Sequence, residues 1–105
     1  MYMIVQLYQE KYLDDVLMAL AEAGIEHSVV LSGESIGHKM TFDMPLFAGF
    51  RTSIGSEKGY AQFIAGFAEE EQAEMFLESL QSSGLDVAEE GFLDVVLLPI
   101  HKRLP

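Results

Sequence analysis

Met3, Val5 and Leu7 alternate along the chain with Ile4, Gln6 and Tyr8. That period of two marks a β-strand. Both of its faces are apolar, so the strand belongs in the middle of a sheet with cover on either side. Tyr60–Phe67 (YAQFIAGF) has the same two-sided apolar character. Two central strands in 105 residues leave few folds open, and the segments between them narrow the choice further. From Glu10 to Ala23, Leu13, Val16, Leu17, Leu20 and Ala21 fall at i, i+3, i+4, i+7 and i+8, one apolar stripe on a helix. Gly24 supplies the left-handed residue that ends it. A second helix is predicted over Glu69–Ser83, with Ala73, Phe76, Leu77 and Leu80 inward and Glu69, Glu70 and Glu71 at the positive end of its dipole. Gly84 ends that one. Glu26–Ser32 reads as a strand, with His27, Val29 and Leu31 on one face. Phe92–Leu98 reads as another, closed by Pro99.

The order is β-α-β-β-α-β. It predicts an α+β, ferredoxin-like sandwich, a four-stranded antiparallel sheet with two helices on one face and a long loop between strands 2 and 3. Residues 1–105 form a single domain of this kind. Right-handed crossovers put the first and third strands in the middle, where their two-sided apolar character requires them. The helices cover one face only. Ile4, Tyr2 and Tyr8 on the other face then need a second subunit. Gly66 marks a bulge or a close approach. Asp94, inside an apolar strand, either faces the centre of an assembly and pairs with a cation there or sits on an exposed edge.

The chain carries a formal net charge of -11, which argues against a nucleic-acid partner. It has no cysteine, hence no disulfide framework, thiolate nucleophile or cysteine zinc site. MYMIVQLYQE lacks the basic and long apolar regions of a signal peptide, and no apolar run approaches the roughly 20 residues that cross a membrane. A cytoplasmic protein is expected. Charge is uneven: Gly33–Gly59 balances Lys39, Arg51 and Lys58 against Glu34, Asp43 and Glu57, whereas the rest sets three cations against fourteen acids.

Leu13-Asp14-Asp15-Val16, Ala19-Leu20 and Gly24-Ile25 on the first helix and its exit, Gly37 early in the long central segment, and Leu98-Pro99-Ile100 at the end of the fourth strand together resemble the P-II-like signalling proteins (the nitrogen regulatory protein P-II superfamily). The resemblance implies a homotrimer with inward-facing sheets. It implies small anionic ligands, usually nucleotides, in clefts between subunits, and signalling to a partner protein through a T-loop, here Gly33–Gly59. This chain departs from the family pattern as a divergent branch would. Where the family carries a Gly-Asp-Gly-Lys-like phosphate loop, Val87-Ala88-Glu89-Glu90-Gly91-Phe92 stands instead. His38 takes a place where a cation is common, and no tyrosine lies between Gly33 and Gly59.

Lys39, Arg51 and Lys58 are the candidate anion contacts, because guanidinium forks and ammonium charges suit phosphate and carboxylate. Lys102 and Arg103 could join them across a subunit boundary. Gly37 and His38 complete the ligand-binding set on the strength of the resemblance. Met40, Phe42, Met44 and Leu46 alternate, and Phe47, Phe50 and Ile54 follow at near-helical spacing. The pattern suggests a hairpin arm turning at Met44-Pro45, then a short helix over Leu46–Ser53. Met44, Leu46, Phe47 and Phe50 are the candidate partner-binding residues, unless they pack on the domain itself. His27, His38 and His101, with Glu34 or Asp43, share no metal-ligand spacing and read as surface residues. No nucleophile elbow, P-loop or dinucleotide fingerprint is present, and the phosphate-binding loop of acylphosphatases is replaced by Tyr8-Gln9-Glu10. The expectation is a non-catalytic sensor without cofactor or metal. The alternatives are an interaction module with no small ligand and a CutA-like metal-ion binder.

Overall fold

In the computed structural model, residues 1–37, 39 and 60–104 are described. The chain runs β1 (Tyr2–Leu7), a 3₁₀ turn (Glu10–Tyr12), α1 (Leu13–Glu22), β2 (Val29–Glu34), β3 (Tyr60–Phe67), α2 (Glu70–Ser82), a single turn α3 (Val87–Glu90) and β4 (Leu93–Leu98). The sheet order is β2-β3-β1-β4, with every neighbouring pair antiparallel. This is the α+β, ferredoxin-like arrangement the pattern predicts. The strands apolar on both faces, β1 and β3, are the central ones. Residues 35–59 join β2 to β3.

The core lies between the sheet and the helices. Met3, Val5 and Leu7 from β1, Ile64 from β3 and Leu93 from β4 meet Val16, Ala19 and Leu20 of α1 and Ala73, Phe76 and Leu80 of α2. Phe92 closes one end and packs against Tyr12, the rings tilted at 42° with centroids 4.3 Å apart.

Several boundaries and faces differ from the sequence reading. The segment from Glu10 opens as a 3₁₀ turn, and α1 proper begins at Leu13. Its buried stripe is Val16, Ala19, Leu20 and Ala23, while Leu17 and Ala21 are exposed. The stretch LMALAEA is apolar nearly all round, so periodicity leaves the stripe free to rotate. Small alanines win the inward positions because α1 must pack against both the sheet and α2. Leu77 of α2 is likewise exposed. Strand β2 begins three residues later than expected, at Val29. Its alternation survives: Val30 pairs with Ile64 and Ser32 with Gln62 on the helix side, and Val29 and Leu31 lie on the other.

Local signals hold the ends. Gly24 and Gly84 take positive φ, +78° and +89°, as left-handed helix terminators do. Glu69 and Gln72 form a capping box, with the Glu69 N–H donating to Gln72 Oε1 at 2.9 Å. The same Gln72 amide donates from Nε2 to the carbonyls of Ala23 and Gly24, at 3.4 and 3.3 Å, tying the start of α2 to the end of α1. Gly66 is a place of close approach, since the β1–β3 register runs unbroken through it. A Cβ there would lie 2.4 Å from Ser28 Oγ and 2.9 Å from Ser28 Cα.

Candidate functional site

The helices leave one whole face of the sheet without cover among the described residues. Strand register places its side chains in rows. Leu98, Tyr2 and Phe67 form one row; Val96, Ile4, Ala65 and Val29 the next; Asp94, Gln6, Phe63 and Leu31 the third. Ala61 and Gly33 pair in a fourth. Val29 is 60% exposed, Leu31 57%, Phe67 47%, and Val96 and Leu98 44% each. In a folded chain so much contiguous apolar surface marks a place of contact.

A hollow opens on this face where the rows reach the end of β2. Gly33 and Ala61 are paired there, and neither has bulk beyond a methyl group. A Cβ built on Gly33 would find its nearest neighbour, Ala61 O, at 3.8 Å. Leu31, Phe63, Gln6 and Tyr8 stand around this low spot, with Ser35 and Ile36 beyond it, and they bound a cleft of about 410 Å³. Its rim is polar on the β1–β4 side. The Tyr8 hydroxyl donates to Asp94 Oδ2 at 2.6 Å and lies 2.9 Å from Gln6 Oε1. Accepting that hydrogen bond, the Asp94 carboxylate holds the Tyr8 phenol above its usual range; desolvation and the nearby negative charge push the same way. The partner of Asp94 within the chain is thus a phenol, on an exposed edge strand.

Beneath the same end of the sheet, on the helix side, lies a polar group. Gln62 is only 9% exposed and donates from Nε2 to Ser32 Oγ at 2.8 Å. Its Oε1 and the Tyr60 hydroxyl have no hydrogen-bond partner among the described residues. Burial raises the Tyr60 phenol, and the Gln62 amide, near but outside hydrogen-bonding geometry, opposes the shift.

Of the candidate ligand-binding residues, Gly37 and Lys39 sit just past the cleft. Ile36, Gly37 and Lys39 have helical backbone, and the Lys39 N–H donates to Ser35 O at 3.0 Å. Lys39 Nζ approaches Glu34 Oε2 at 4.0 Å, an exposed pair that contributes little. Arg103 is elsewhere. Its guanidinium lies over the Phe67 ring, 3.9 Å from the centroid, at the opposite end of β3 from Tyr60 and Glu34. An eight-residue strand separates the two ends, about 23 Å at the usual rise. One copy of the chain therefore does not bring Lys39 and Arg103 to one ligand. Lys102 is exposed in the same tail. His38, Arg51 and Lys58, the partner-binding candidates Met44, Leu46, Phe47 and Phe50, and the hairpin arm and helix expected over 40–54 lie outside the described residues. In place of a phosphate loop the chain makes the α3 turn, where the Gly91 N–H donates to Val87 O at 3.0 Å and Gly91 takes φ +60°. Among the described residues no three His, Cys, Asp or Glu side chains gather as metal ligands. None of the described helices is long and apolar enough to cross a membrane.

The sequence reading missed the hollow and its walls, Gln6, Tyr8, Leu31 and Phe63. A signal was there: Gly33 and Ala61 are small residues near the facing ends of two strands. They read as a hollow only once register pairs them. No protein-family model matches the chain, and no curated protein matches it in sequence.

Proposed function

We propose that the protein is a non-catalytic, P-II-like sensor of the cytoplasm. In this reading three copies assemble through their open sheet faces and bind a small anionic metabolite of the nucleotide class. The ligand sits at a boundary between copies, and residues 33–59 carry the signal to a partner protein. One observation supports this reading above the others: the apolar open face ends in a hollow at the foot of the 33–59 segment. The face asks for another copy, and the hollow offers an apolar slot with a polar rim of the kind that small ligands use. Two of the candidate cations lie toward opposite ends of the sheet, Lys39 near the hollow and Arg103 at Phe67. An anion site using both must draw them from different copies.

Isothermal calorimetry against a panel of nucleotides tests the proposal. The wild type binds at least one. Gly33→Val, which adds bulk at the hollow, weakens binding. Arg51→Ala weakens it by about tenfold or more, the loss of a charge-assisted hydrogen bond. No binding by the wild type, or equal binding by both variants, counts against it. In that case a plain interaction module, with the open face as its working surface, is the better account.

A further inference from the structure

The charges on the open face specify how two copies meet. Within its paired rows the face carries a single charged side chain, Asp94, in the row of Gln6 and Phe63. At the other end Arg103 is laid on the Phe67 ring. The two rows lie four positions apart along the strand, about 13 Å, and among the described residues neither side chain makes an ion pair. If this face is covered by another copy, both charges leave water. A buried charge without a partner is strongly unfavourable, and each is the opposite charge that the other lacks.

We infer that Arg103 of each copy pairs with the partner subunit's Asp94, so that this ion pair sets the register of the interface. The side chains are prepared for it. Asp94 spends Oδ2 on the Tyr8 hydroxyl and keeps Oδ1 for an incoming donor. The Arg103 guanidinium carbon lies 3.9 Å from the Phe67 ring centroid, and a guanidinium held over a ring still has N–H donors to offer a carboxylate. Asp94 also stands at the polar rim of the hollow, through Tyr8, so the pair brings a second copy's cation to the cleft. This inference rests on the reading that the open face is buried between copies. It adds which residues fix the contact.

Sedimentation velocity over a range of protein and salt concentrations tests it, with circular dichroism to confirm that each variant is folded. Arg103→Asp and Asp94→Arg each weaken association by at least about tenfold, as expected when one member of a desolvated pair is reversed. The double reversal recovers most of the loss. Association that is strong in the wild type but unchanged in both single variants overturns the ion pair and leaves the sheet-face assembly standing. A wild type that stays monomeric throughout overturns both.

Discussion

Gly66 shows how much one atom can matter here. Its missing Cβ lets Ser28 lie against β3, with the Ser28 Cα 2.9 Å from where a Cβ would be. The obstacle includes backbone, which cannot swing aside as a flexible side chain can. Gly66→Ala is therefore expected to destabilise the fold by about 1–3 kcal/mol, the usual range for overpacking, measured by urea denaturation. Gly33→Ala, where the nearest neighbour is 3.8 Å away, should shift the midpoint far less. Equal effects would mean that the Ser28 contact is not rigid. The sequence marked Gly66 as unusual but left a bulge and a close approach both open. Nothing in YAQFIAGF names Ser28 as the neighbour, because the contact depends on how the chain enters β2. Asp94 was ambiguous for a similar reason: its partner, Tyr8, is 86 positions away, and only sheet register brings them together.

Among the elements, helix and strand identity was legible and the fine orientation of faces was not. Alternation on β1 and β3, the glycines that end both helices and the acidic start of α2 all acted as the pattern said. The turn of α1 about its axis was hidden, because an apolar residue occupies every place from Val16 to Ala21. Gln72 carries more than its sequence position suggests. It caps its own helix through Glu69 and also donates to the carbonyls of Ala23 and Gly24. Gln72→Ala removes both functions at once. The expected loss is about 1–2 kcal/mol, a cap together with weak interhelical hydrogen bonds, read from the shift in thermal or urea midpoint. Gln72→Glu keeps the acceptor for the Glu69 N–H and loses the donor to α1. It should fall between the two if both roles count, and match the wild type if capping is the whole effect.

At the scale of the molecule, the described residues leave one face of the sheet uncovered. The helix side is closed by Phe76, Phe92, Met3, Leu7 and Leu80, all fully buried. The other side presents Val29, Leu31, Phe63, Phe67, Val96 and Leu98, an area too apolar and too continuous to be left to water. That imbalance was readable from the two-sided apolar pattern of β1 and β3 together with two helices that cover one face only. The hollow beside Gly33 was not, since it comes from pairing two small residues on different strands. The net charge of -11 works against association by general repulsion, so an assembly of copies would have to rely on burial and on local pairing. The mass of the wild-type protein in solution, measured by light scattering behind a sizing column, is the most direct test of this account. It predicts a stable particle of about 35 kDa, three chains of 11.7 kDa each in a closed cyclic assembly, and its breakdown when Ile4 and Val96 are replaced by lysine. A stable 11.7 kDa monomer with the open face in water would contradict it.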